Sequence, residues 1–275
     1  MKVWISVDME GISGIVDREQ LIPDHRLYQE GRQRMLDDLR AVTDRLLADS
    51  DVEEIWINDS HDGMVNVRQS DMPPRVYLIS GGAKPFSMAE GAQWADLALF
   101  IGYHAKAGTQ AAIMDHTYAG EIFDVTLNGQ SVGETGLNAA LLGAWGVPVG
   151  MVSGDDKVAA EAKALLPDVE TAVVKWGISR RAARLLPPAE ASTVLQQAVD
   201  RTLTKWREGR LKPWRLTTPI TLTVTLMTPE MADRGMYCPG ASRLDGRTVG
   251  FTLASMEDAF RSFYTVMASA GRPLY

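Results

Sequence analysis

Apolar residues arrive along this chain in two rhythms. Val3 to Val7, Ile55-Trp56-Ile57, Val76 to Ile79, Leu97 to Ile101 and Val147 to Val152 are short, almost unbroken apolar runs. Runs of this length suit strands buried on both faces. Between them Met35, Leu39, Val42 and Leu46 recur at helical spacing, which predicts an amphipathic helix over 26–49. Further helices are expected over 84–93, 134–145, 156–166 and 188–208, with a strand near 170–175. Strands that alternate with helices predict an α/β fold, a largely parallel sheet flanked by helices on both sides.

After about residue 215 the rhythm changes. Ile220 to Leu226 alternates threonine with apolar residues, as a half-exposed strand does, and Thr248 to Leu253 is similar. Residues 256–269 read as a helix. The link over 209–219 holds Gly209, Pro213 and Pro219. The expected division is a metal-binding α/β domain over 1–210 and a smaller C-terminal α+β annex over 211–275, packed on the first as one unit. Phe123 to Val132 reads as a hairpin, because Asn128-Gly129 supplies the positive φ angles of a type I′ turn.

Composition narrows the partners. With 275 residues, 45% of them hydrophobic, the chain can bury a core without disulfides. Cys238 is its lone cysteine, so neither an internal disulfide nor a cysteine-built zinc site can form. A net charge of −7 and no basic run longer than Arg180-Arg181 argue against a nucleic-acid partner. That pair reads as a solvated helix start. No run approaches the roughly 18 apolar residues of a membrane span, and the first apolar run is too short for a signal peptide. A cytoplasmic protein is expected.

Chemistry collects at the strand ends. The first strand ends in Asp8-Met9-Glu10, the second in Asn58-Asp59-Ser60-His61, the fourth in Gly102-Tyr103-His104. In open α/β sheets the active crevice lies outside the carboxyl ends of the strands. If the chain stays extended, Asp8 and Glu10 share a face. Two carboxylates at one site resist ionising together, and a divalent cation removes the conflict. Imidazoles beside them suit zinc or a similar ion. Each residue also has an ordinary reading: Asp8 as a turn former or helix cap, His61 as a loop histidine, Asp155-Asp156 as a cap pair. Asp59, Asp62 and Asp115 read as turn formers or supports, and His25 as a surface residue.

Val7-Asp8-Met9-Glu10-Gly11-Ile12-Ser13-Gly14 resembles the opening motif of the D-aminopeptidases of peptidase family M55. Asn58-Asp59-Ser60-His61, Lys84-Pro85-Phe86-Ser87-Met88, Gly102-Tyr103-His104-Ala105 and Val132-Gly133-Glu134 follow in the family's order. Gly154-Asp155-Asp156, Lys175 and Ile178-Ser179-Arg180 continue the match. The resemblance covers about residues 1–185 well and the annex loosely. It implies two zinc ions per chain, with Asp8 bridging them, Glu10 and His104 completing one site, and His61 and Glu134 the other. It also implies a catalytic role for His116 and a ring-shaped homo-oligomer, a decamer. The substrates implied are short peptides that begin with a D-amino acid of the D-Ala type. Two metal ions can polarise a carbonyl and activate water, which leaves His116 as nucleophile, acid–base or oxyanion partner. The same ligands would serve a dinuclear phosphoesterase, with Lys84 and Lys106 available for phosphate. A non-catalytic metal-binding assembly protein is a third reading, opposed by the intact ligand set and His116.

Overall fold

The computed structural model describes residues 1–271. The chain opens with β1 (Lys2–Val7), α1 (Tyr28–Leu47), β2 (Glu54–Asp59), β3 (Val76–Ile79) and β4 (Leu97–Tyr103). The hairpin strands β5 (Ile122–Leu127) and β6 (Gln130–Val132) lead into α2 (Glu134–Ala144), β7 (Val149–Asp155) and α3 (Asp156–Leu165). Then come β8 (Glu170–Ser179), β9 (Ala182–Leu185) and α4 (Pro188–Arg207). The last part holds β10 (Ile220–Leu226), α5 (Pro229–Gly235), β11 (Ser242–Arg243), β12 (Thr248–Leu253) and α6 (Met256–Ala270).

A seven-stranded sheet runs in the order β3-β2-β1-β4-β7-β8-β9. Its strands are parallel except β9, which returns antiparallel from β8 at the edge. Successive side chains of β1 go to opposite faces. Val3, Ile5 and Val7 join a core with Met35, Leu39 and Val42 of α1 and Leu195 and Val199 of α4. Trp4 joins a second core with Leu137 and Leu141 of α2. The α/β architecture expected from the apolar rhythm is present, and β1 and β4 lie side by side at its centre, so their carboxyl ends are neighbours.

A five-stranded antiparallel sheet, β11-β12-β10-β5-β6, stands beside the first. The hairpin appears where Asn128-Gly129 predicts it, with both residues at positive φ. It pairs with β10, so this sheet takes strands from both sides of the link near residue 210. α6 packs against α2 on one side and β10 and β12 on the other, and Phe260 and Phe263 fill the space between.

Two local expectations fail. Residues 84–93 form no α-helix but two turns of 3-10 helix, Ser87–Ala89 and Ala92–Trp94. Strand side chains claim the carbonyls that an α-helix would use: Ser6 Oγ donates to Met88 O, Asn58 Nδ2 to Ser87 O and Trp4 Nε1 to Glu90 O, each at 3.0 Å. Arg180-Arg181 begins no helix; it is the link between β8 and β9.

Candidate active site

The structure brings all six residues singled out in the sequence to one place. Asp8 and Glu10 follow β1, His61 follows β2, His104 follows β4, and Glu134 is the first residue of α2. His116 lies in the loop between β4 and β5. The chain does not stay extended after Val7 but turns over residues 9–14. The turn still sends Met9 into the core and leaves Asp8 and Glu10 together.

Two glycines allow this. A Cβ on Gly11 would lie 1.9 Å from Tyr103 O, and one on Gly102 would lie 2.3 Å from Asp8 O. Gly11 N donates to Gly102 O at 2.7 Å, and Asp8 N to Ile101 O at 2.9 Å. Gly102 also sits at φ +72°, a region costly for other L residues. The β1 and β4 ends are thus laced backbone to backbone, which sets Asp8 and Glu10 against His104.

Side-chain spacing in the cluster is short. His61 Nδ1 lies 3.0 Å from Asp8 Oδ1 and 3.2 Å from Glu10 Oε2. His104 Nε2 lies 3.4 Å from Asp8 Oδ2 and 3.3 Å from Glu134 Oε2. His116 Nε2 stands 3.8 Å from Glu134 Oε1. Asp8 is shared by both halves. The contacts pair His61 with Glu10 and His104 with Glu134, and the donor atoms of Asp8, Glu10 and His104 also lie within 4.8 Å of one another.

Each histidine gives its other nitrogen to a backbone carbonyl, which can only accept. His61 Nε2 donates to Leu21 O, His104 Nδ1 to Ala105 O and His116 Nδ1 to Met114 O. In each neutral ring the remaining nitrogen is therefore a bare lone pair facing carboxylate oxygens. Something positive belongs between them. A proton serves poorly at His104: its Nε2, like Glu10 Oε2, is buried and makes no hydrogen bond. A metal fits. With ligand bonds of about 2.0–2.1 Å, the ligands of a tetrahedral zinc stand about 3.3 Å apart. Backbone-anchored imidazoles are the usual second layer of such a site.

Titration behaviour shows the same imbalance. Burial, reinforced by Glu10, pushes the Asp8 carboxyl up to about 7. Burial also opposes charge on Glu10 and Glu134, but the neighbouring imidazoles His61 and His104 outweigh it and hold both below their ordinary values. Burial works against charge on His61 and His104 too, yet the carboxylates raise both well above the usual imidazole range. His116 goes the other way, lowered by burial and then by His104.

A layer of polar contacts holds the cluster. Lys175, fully buried on β8, donates to the carbonyls of Glu10, Ile12 and Ile15. Asp38 of α1 accepts from Ser13 N and Oγ in the same loop. Tyr118 N donates to Glu134 Oε1 at 2.6 Å, and Tyr118 OH begins a buried chain through Asn138, Tyr103, Ser6 and Ser60. The roles of Asp38 and Tyr118 had no sequence signal, because each depends on a contact across the fold.

The remaining polar residues sort by contact. Asp59 accepts from Asn66 and Val67 and shapes the loop after β2. Asp155 caps α3, as its sequence context suggests. His25 is exposed. Lys84 is buried against Asn58 Oδ1 and Asp59 O, and Lys106 is occupied by Ser131, so neither is offered to a phosphate. The cluster opens into a cavity of about 600 Å³. His116, Tyr118, Tyr264 and Met267 stand in its wall with Arg18, Arg180 and Arg181.

Three likenesses to known proteins accompany this geometry. The family model Peptidase_M55, described as D-aminopeptidase, matches residues 1–265. A D-aminopeptidase of Bacillus subtilis (strain 168) is 36% identical over 274 residues, covering 99% of this chain and 98% of its own. The solved Zn-dependent D-aminopeptidase DppA from Bacillus subtilis, a self-compartmentalizing protease, superposes with a TM-score of 0.95 at 35% identity over 100% of both chains.

Proposed function

The chain belongs to the D-aminopeptidase family M55, a family of peptide-bond hydrolases, and from that premise we propose a zinc-dependent enzyme that releases N-terminal D-amino acids, of the D-Ala type, from short peptides. Two zinc ions per chain are proposed, with Asp8 shared between them, Glu10 and His104 on one, and His61 and Glu134 on the other. The observation that carries the metal site is the set of imidazole nitrogens facing buried carboxylates at 3.0–3.4 Å. The division of the ligands between two ions rests on the likeness to the family, with Asp8, Glu10 and His104 also forming one compact group.

When bound, such a pair supplies Lewis acidity to the scissile carbonyl and to the attacking water. The rest falls to the chain's own residues. Met114 O keeps the proton on His116 Nδ1, so Nε2 is the ring's basic nitrogen, 3.8 Å from Glu134 Oε1 in a residue that lines the cavity. Burial keeps that ring neutral near neutrality, ready to take a proton from water and return it to the leaving amine. Tyr118 N holds Glu134 through Oε1, which leaves Oε2 for His104 and a metal.

The test is incubation of zinc-loaded protein with D-alanyl peptides, L-alanyl peptides and a phosphodiester. Release of D-alanine from the first alone, with about two zinc ions per chain, is expected. Cleavage of the phosphodiester instead would establish the dinuclear phosphoesterase, and no turnover with metal bound would leave a metal-binding assembly protein. A homo-oligomer, in the form of a decamer, is proposed from the likeness to a self-compartmentalizing protease; sedimentation showing only a 30.1 kDa monomer would overturn it. The cytoplasm is the proposed location. Among the described residues no helix is long and apolar enough to cross a membrane.

A further inference from the structure

The cavity carries both signs of charge, and they are segregated. Its floor is acidic and buried: Asp8, Glu10 and Glu134 are 3%, 5% and 2% exposed. Its exposed rim is basic, with Arg18, Arg180 and Arg181 against one rim carboxylate, Asp62. Arg180 is partly occupied, since its Nε donates to Asp115 Oδ1 at 2.8 Å and its Nη2 to Asp115 O at 2.9 Å. Arg18 and Arg181 make no side-chain hydrogen bond or ion pair among the described residues.

The arginines are placed rather than scattered. Arg180 and Arg181 form the whole link between β8 and β9. Neither residue takes a positive φ, so the turn accepts a long side chain at both positions and leaves both arginines at the tip. Arg180 O also accepts from Met114 N at 2.9 Å. Arg180 thus grips the loop at Met114 and Asp115, on the near side of His116. The basic tip is therefore held at a fixed offset from the catalytic end of the cavity.

We propose that Arg181 and Arg18, with the free edge of Arg180, bind the C-terminal α-carboxylate of the peptide substrate. This deepens the proposed function and rests on it. A short peptide is a zwitterion, and release of its N-terminal residue at the cluster leaves its carboxylate end toward the basic rim. The planar guanidinium matches a carboxylate in two parallel hydrogen bonds. The volume of about 600 Å³ suits a small ligand, where such sites span about 300–1,000 Å³, and not an internal segment of a folded protein. The enzyme thereby selects peptides short enough for their own C-terminus to reach the rim.

The test compares D-alanyl-D-alanine with its C-terminal amide. On the zinc-loaded enzyme the free acid is expected to exceed the amide by about 10–100-fold in kcat/KM, mostly through KM. The Arg18→Gln/Arg181→Gln double variant is expected to lose that discrimination, and Arg181→Lys to keep part of it. Equilibrium binding of acid and amide, measured in a His116→Ala background with zinc content checked, reads the same preference without turnover. Equal affinity for the two, binding of neither, or discrimination that survives in the double variant overturns the proposal. A binding preference with no hydrolysis by the unmodified enzyme would instead refute the aminopeptidase reading and leave the carboxylate site standing.

Discussion

His104 and His116 lie ring on ring, their centroids 4.1 Å apart and their planes 13° from parallel. Both give Nδ1–H to a backbone carbonyl and turn Nε2 toward Glu134, at 3.3 Å and 3.8 Å. They differ in access. The His104 side chain is 1% exposed, whereas that of His116 is 27% exposed and borders the cavity. The stack places one imidazole inside the cluster and the other over it, within reach of a substrate.

From this follows a separation of binding from chemistry. His116→Ala is expected to keep the fold and the zinc and to lose about 10²–10⁴-fold in kcat. Turnover and zinc content measured on one preparation check it. Near-normal kcat rejects the catalytic role, and lost zinc makes His116 a ligand.

Asp8→Ala should behave differently. Among the described residues it removes the one carboxylate within 3.4 Å of both His61 and His104. Zinc content and activity are expected to fall together. Adding zinc should raise the melting temperature of the unmodified protein, because a ligand that binds only the folded state stabilises it. It should raise that of Asp8→Ala far less. Calorimetry with and without zinc is the measurement.

Gly102→Ala touches no proposed ligand, yet it should disable the site. A methyl group there would meet Asp8 O at 2.3 Å and Ile12 Cδ1 at 2.6 Å, on a backbone at φ +72°. Relief requires the β1 and β4 ends to part. Zinc affinity is expected to drop at least tenfold, with a loss of stability of about 1–3 kcal/mol. A variant with unchanged zinc affinity would show that the lacing of these strand ends is incidental to the cluster.

Lys175 gives the fold a pH dependence. Burial brings its ammonium from 10.5 down to about 8, against the pull of Asp155 and Asp38. Below about 8 both states carry the proton, and the full cost of burying the charge is present. Between about 8 and 10.5 the unfolded chain binds more protons than the folded one, so stability rises with pH. The gain is at most about 3 kcal/mol. Near pH 10 the buried phenols of Tyr103 and Tyr118, raised well above 10.0, begin to act in the opposite sense. Lys175→Met should be less stable throughout, because three carbonyls lose their donor. It should also lack the rise between about pH 8 and pH 9.5. Urea midpoints at both pH values decide it; parallel curves would remove Lys175 as the source.

The parallel sheet was legible because its strands are buried on both faces and so read as apolar runs. The cluster was legible because Asp8, Glu10, His61 and His104 stand just past those runs, where such sheets place their chemistry. Glu134 and His116 have no such local signal. Glu134 opens a helix, where an acidic residue is common for electrostatic reasons alone, and His116 sits in an irregular loop. Family resemblance alone singled them out. Arg181 was misread because a basic pair carries no periodicity, and only the β8–β9 pairing shows that it caps a hairpin over the cavity. The non-helical course of 84–93 depends on strand side chains that bond its carbonyls, which local propensity cannot register.

The proposed ligands are close in space and far apart along the chain: residue 8 meets residue 134 only after the central strands have paired and α2 has docked. Contacts of such separation form late in folding, since loop closure must precede their reward. A nascent chain that has emerged only as far as His104, just past β4, holds Asp8, Glu10, His61 and His104 but not the carboxylate that completes the set. The loop after β1 already carries two acids against a forming core, and Glu134 adds a third, so the full set calls for a cation. Metal capture therefore belongs at the end of folding, where it closes a ring of contacts from β1 through β4 to α2, and zinc starvation during synthesis should leave chains that are compact but not locked.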